Sequence, residues 1–174
     1  MQGAKDESSR PELKFVKSRD FRVPFSAGML ITLVGAYADT YYHLSGLAAK
    51  EGFFTPAHAT LYGGVFIMLL STILWRKKKL FLKGVSINRN VLSVGLFLMV
   101  AGGAWDFVYH SIHGFVDVVA WTPPHLTVTA GFVILMIAAV VQFGRRSGLF
   151  VKSALASSVL LFVALWATVI VLTA

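Results

Sequence analysis

Aspartate and histidine recur in this chain at spacings that suit a metal ion. Asp39 precedes His43 by four residues, and Asp106 precedes His110 by four. On a helix, positions i and i+4 project from one face, so each pair offers a carboxylate and an imidazole in the same direction. Eleven residues after each pair comes Thr-Pro-x-His, ending at His58 in the first case and at His125 in the second. Thr-Pro is a helix-start signal: threonine can accept a bond from an unpaired amide, and proline has no amide to leave unpaired. The last histidine of each set therefore stands in the first turn of the next helix. That helix end carries partial positive charge, which disfavours imidazolium and keeps the ring neutral, as a metal ligand must be.

Both sets belong to one repeated stretch. Gly35–Lys79 overlays Gly102–Arg146 at a constant offset of 67 residues without a gap. Asp39 falls on Asp106, Tyr42 on Tyr109, His43 on His110, His58 on His125, Gly64 on Gly131, and Lys78-Lys79 on Arg145-Arg146. Four of the five histidines occupy matched positions. The fifth, His113, reads as a residue behind the ligands or in the loop.

The elements that must position these residues are membrane spans. The chain is 56% hydrophobic and 14% charged over 174 residues, too apolar for an ordinary globular surface. The spacing predicts an all-α integral membrane protein with five transmembrane helices. They run over about Val23–His43, Pro56–Trp75, Asn90–Ser111, Pro123–Phe143 and Leu149–Thr173. Each is long enough for a hydrocarbon core of about 30 Å. The first four form two consecutive hairpins, a parallel internal repeat, and the fifth has no counterpart and reads as a packing helix. Residues 1–22 read as a cytoplasmic polar tail and 23–174 as the transmembrane domain. Ala36-Tyr37-Ala38 mimics a signal-peptide cleavage site, but cutting there would split one copy of the repeat.

Lysine and arginine set the expected orientation. Fifteen of the sixteen lie in the tail, between helices 2 and 3, or around the 4–5 turn; Lys50 alone lies in an opposite loop. This is positive-inside bias. It predicts a cell-membrane protein with a cytoplasmic N-terminus, a C-terminus outside, and both Asp/His loops on the outer side. The net charge of +8 comes from short clusters between apolar runs, without a basic face carrying interleaved aromatics, so nucleic acid is not the expected partner. The absence of cysteine excludes thiolate zinc sites, iron–sulfur clusters and disulfides.

Asp39 and Asp106 are the only acids in the expected spans, where ionisable groups are costly and functional by default. Two Asp/His/His stations follow: Asp39, His43 and His58, then Asp106, His110 and His125. Two imidazoles and one carboxylate suit copper, zinc or non-haem iron. The bland alternative is a structural Asp–His bond closing each hairpin, or a proton path. Tyr42, Tyr109, Trp105, Trp121, Phe53 and Phe54 read as aromatics of the membrane interface, and Glu51 and Asp117 as solvated loop charges.

At these residues the chain resembles the C subunit of the copper membrane monooxygenases, the particulate methane and ammonia monooxygenases. That family carries D-x-x-x-H on one transmembrane helix and a histidine at the start of the next. Phe54-Thr55-Pro56-Ala57-His58, followed by Leu61-Tyr62, resembles the corresponding segment of the archaeal ammonia monooxygenase C subunit. The resemblance covers roughly residues 30–145. It implies copper at both stations, membrane partner subunits or a homo-oligomer, and oxidation of ammonia or a small hydrocarbon with O₂. Two departures mark the chain as a distant or stand-alone relative. The histidine-to-histidine gap is 15 in both copies, slightly longer than in the family, and Asp106 stands where the family has Asn. A membrane metal-ion or proton transporter, or an accessory chain without oxygenase activity, is the alternative these residues allow.

Overall fold

A computed structural model of the chain describes residues 21–45, 53–77, 89–114, 121–144 and 147–173. Five helices make up the architecture: α1 Arg22–Leu44, α2 Pro56–Lys77, α3 Arg89–His113, α4 Pro123–Phe143 and α5 Leu149–Thr173. No strand occurs among the described residues. The helices match the expected spans to within two residues at each end. The polar tail, most of the 2–3 connector, Glu51, Lys50 and Asp117 lie outside the described residues.

Four helices, α2 to α5, are long and apolar enough to cross a membrane, and the protein is accordingly a multi-pass membrane protein. The least apolar of the five is α1, which carries Asp39 and His43 near its C-terminal end. Large apolar side chains such as Val34, Phe97, Val141, Leu160 and Val171 point outward. In a bilayer this is the surface lipid covers, so their exposure carries no penalty.

Helix α1 packs most extensively on α2, and α3 on α4. Small residues allow both approaches, as expected where van der Waals packing replaces the hydrophobic effect between helices. A Cβ built on Gly28 would lie 2.8 Å from the Gly64 carbonyl oxygen, and one on Gly131 2.8 Å from that of Gly95. Nearer the other end, a Cβ on Gly35 would run into the Leu61 backbone, and one on Gly102 would lie 2.9 Å from the Val128 amide nitrogen. Each of these contacts recurs at the 67-residue offset. Helix α5 lies against α1 and, less extensively, against α4.

The two ends of the bundle differ in character. At one end the core is apolar: Phe143 receives the edges of Phe21 and Phe25 at 5.4 and 5.6 Å, and Met29, Met68, Leu92, Met99 and Leu135 are fully buried beside them. At the other, where α1 and α3 end and α2 and α4 begin, the buried residues include the ionisable Asp39, His58, Asp106 and His110.

Candidate metal centre

Each ligand candidate is positioned by a local feature of its helix. Asp39 and His43 lie one turn apart on α1, with His43 Nε2 3.7 Å from Asp39 Oδ1. On α3 the matching pair is closer, with His110 Nε2 3.3 Å from Asp106 Oδ1. His58 sits in the first turn of α2, where Thr55 Oγ1 accepts a hydrogen bond from its amide at 3.1 Å. That is the cap expected of a threonine before Pro56. Thr122 departs from this expectation. It makes no side-chain cap on α4, and its Oγ1 instead bonds Nδ1 of His125 at 2.6 Å. Its hydroxyl orients the imidazole instead.

Two other histidines are oriented by backbone carbonyls. His58 Nδ1 donates to the Phe53 carbonyl oxygen, and His110 Nδ1 to that of Gly114 at 3.0 Å. Gly114 ends α3 in the left-handed region, with φ of 72°, a backbone state that glycine adopts without steric penalty. Its amide still bonds the His110 carbonyl oxygen at 3.0 Å. The termination of α3 therefore turns a carbonyl back onto the ring of the residue that needs it.

A carbonyl can only accept, so Nδ1 carries the proton in both rings. In the neutral imidazole Nε2 is then a lone pair. His58 Nε2 is buried 3.1 Å from Asp39 Oδ1 without hydrogen-bond geometry between them. His110 Nε2 lies 3.3 Å from Asp106 Oδ1. Lone pairs set against carboxylate oxygens in a buried space repel unless a cation lies between them, either a second proton on the ring or a metal ion.

The spacing divides the six residues into two stations, but the fold brings them into one cluster. His58 Nε2 is 3.8 Å from Asp106 Oδ2, and His125 Nε2 is 3.9 Å from Asp39 Oδ2. His125 Nδ1 is also 3.4 Å from Asp106 Oδ1. His43 stacks on His110 with centroids 5.7 Å apart and planes at 22°, and the edge of His125 meets both. Distances across the hairpins are thus comparable to those within them. Two sets of three residues have ligand atoms close enough to share an ion. One is Asp39, His43 and His58. The other is His43, His110 and His125, a combination that crosses the repeat.

His113 does not join the cluster. It is exposed at the end of α3, with its ring 4.5 Å from that of Tyr109. Among the aromatics expected at the interface, Trp105, Trp121 and Phe54 are exposed. Phe53 has a different place. Its ring stacks on His58 at 4.4 Å, and Tyr62 lies beside both, 6.0 Å from the imidazole and 6.2 Å from Phe53. The sequence carries no signal for this role, because an aromatic before Thr-Pro looks the same whether it faces lipid or folds back.

One carboxylate and four imidazoles fall in these two sets, and without thiolate these donors suit copper, zinc or iron alike. Asp106 belongs to neither set, although its Oδ1 lies 3.3 Å from His110 Nε2. No family model matches this chain, and no curated protein or solved structure matches it either.

Proposed function

We propose that the chain is a membrane metalloprotein whose two hairpins are copies related about an axis along the membrane normal, sharing one copper centre between them. Asp39, His43, His58, Asp106, His110 and His125 are its ligand set. The observation that carries this reading is the apposition of buried His58 Nε2 and Asp39 Oδ1 at 3.1 Å, with His58 Nδ1 already donating to a carbonyl. The same relation recurs at His110 and Asp106. Two carboxylates would balance the charge of a divalent ion in a site where an unpaired charge is costly. The Phe53, Thr122 and Gly114 contacts would hold the rings in place, as outer partners of metal-bound histidines do.

Copper, when bound, supplies one-electron and O₂ chemistry. With the motif resemblance, this favours a subunit that takes part in oxidising ammonia or a small hydrocarbon alongside partner chains. The distribution of lysine and arginine supports a cytoplasmic N-terminus, α1 as a fifth span, and a centre near the outer surface. A transporter or accessory chain would use the same ligands without oxygenase activity.

Purification in mild detergent, with elemental analysis of wild type, His43→Ala and His110→Ala, tests the centre. Copper bound in near-stoichiometric amount and lost in both variants is the expected result. Background metal in all three would overturn the metal reading. Substrate-dependent O₂ uptake, assayed with co-purified subunits, then separates oxygenase from transporter.

A further inference from the structure

The 67-residue correspondence also applies to surfaces. Helix α5 is seated between α1 and α4 by three side chains. Tyr37 Oη donates to the Leu161 carbonyl oxygen at 3.0 Å, Phe132 stacks on Phe162 at 5.7 Å, and Trp121 meets the Trp166 ring at 5.6 Å. Trp121 Nε1 also donates to Thr173 Oγ1 at 3.1 Å. Shifted by 67 residues, Tyr37, Phe132 and Trp121 become Ala104, Val65 and Phe54. All three line a single apolar recess of about 430 Å³ between α2 and α3, floored by Gly103 and Tyr62. The seat of α5 thus has a counterpart on the opposite side of the bundle, and no helix among the described residues covers it.

From this we infer that the α2/α3 recess is the seat of a transmembrane helix from a different protein. The inference rests on the repeat proposed above. Each seat residue on this side is smaller than its counterpart: alanine for tyrosine, valine for phenylalanine, phenylalanine for tryptophan. The incoming helix therefore supplies the bulk that α1 and α4 supply towards α5, with a large apolar side chain over Gly103 and Ala104. The lining is apolar, so the helix presents no charge to it. A second copy is the poorer occupant. Its α5 is already seated on the far side of its own bundle, and offering the outer face of that helix would make one helix serve two seats in a head-to-tail contact. The seat also touches the candidate centre, because Phe53 lines the recess and stacks on His58. A helix docked there would cover the same side of the ligand set.

The test places a photoreactive benzoyl-phenylalanine at Val100 or Phe66, both lining the recess, in the full chain expressed in membranes of its source. Position Phe97, exposed on α3 outside the recess, serves as control. The expected result is an adduct from the recess positions whose partner peptide is an uncharged transmembrane segment of another protein. Position 97 should give lipid adducts. Ala104→Trp, which fills the recess, should abolish the protein adduct while copper content stays at the wild-type level. Gly63→Trp, on an open face of α2, should leave the adduct intact. Should Ala104→Trp fail to reach the membrane, the half-exposed Val100→Trp repeats the test with the probe at Phe66. Lipid adducts only, a peptide of this chain, or an adduct insensitive to filling the recess would each overturn the inference. Copper content in the same preparations separates that failure from failure of the metal centre.

Discussion

His43 and His110, 67 residues apart and matched in the repeat, stack ring on ring at 5.7 Å where the two hairpins meet. Neither ring belongs to its own hairpin alone. If these residues hold one metal between them, as proposed, they behave differently from two independent stations. With independent stations, His43→Ala would leave about half of the bound metal in place; with a shared set, residues of one network fail together and retention falls below that. Metal per chain in His43→Ala, His110→Ala and the double variant checks this. The double variant should lose little more than either single one.

Acid should release the ion. A proton competes with the metal for Nε2 of each ring, so affinity is retained well above the ordinary imidazole pKa of about 6.5 and declines as pH falls through that range. Metal retention after dialysis across a pH series measures it. Retention that is flat from neutral to mildly acidic pH would argue against imidazole ligands.

Gly114→Ala places a Cβ where the backbone is left-handed, at a cost of about 1–2 kcal/mol in local strain. Any relaxation moves the carbonyl that receives His110 Nδ1–H. Metal affinity should fall roughly ten- to a hundredfold, the usual cost of losing an outer partner. Helical content by circular dichroism should not change.

Asp106→Asn keeps the shape of a fully buried side chain and removes its charge. The apo protein should be no less stable, because the desolvation cost of a buried carboxylate can exceed what its histidine neighbours return, and asparagine keeps the shape and two acceptor lone pairs. The rise in Tm on adding copper should shrink, since stabilisation by a ligand follows its affinity for the folded state. Thermal unfolding in detergent with and without copper gives both numbers.

Hairpin packing and membrane orientation have their own tests. Gly35→Leu drives a side chain into the Leu61 backbone and should cost about 1–3 kcal/mol or more. Gly63→Ala meets nothing within 4 Å and should be neutral or stabilising by up to about 1 kcal/mol. The chain contains no cysteine, so single cysteines report topology directly. Ser45→Cys should react with an impermeant maleimide from outside intact cells, and Gly148→Cys only after permeabilisation. The opposite pattern would invert the orientation.

The sequence alone determined the helices. Apolar runs of membrane length, Thr-Pro starts and basic stops are local signals, and the five elements fall where those signals put them. Local spacing also determined that Asp39 faces with His43 and Asp106 with His110, because i and i+4 share a face of any helix. Tertiary structure decided the rest. That two triads become one cluster depends on how one hairpin meets the other, and that contact spans residues 67 apart. The Thr122 hydroxyl turns from a cap to His125, and the Phe53 ring folds onto His58, for reasons of the surrounding packing. His113, three residues from His110, is the last residue of α3 and lies one turn beyond the buried cluster, where the chain on every side of the helix is exposed.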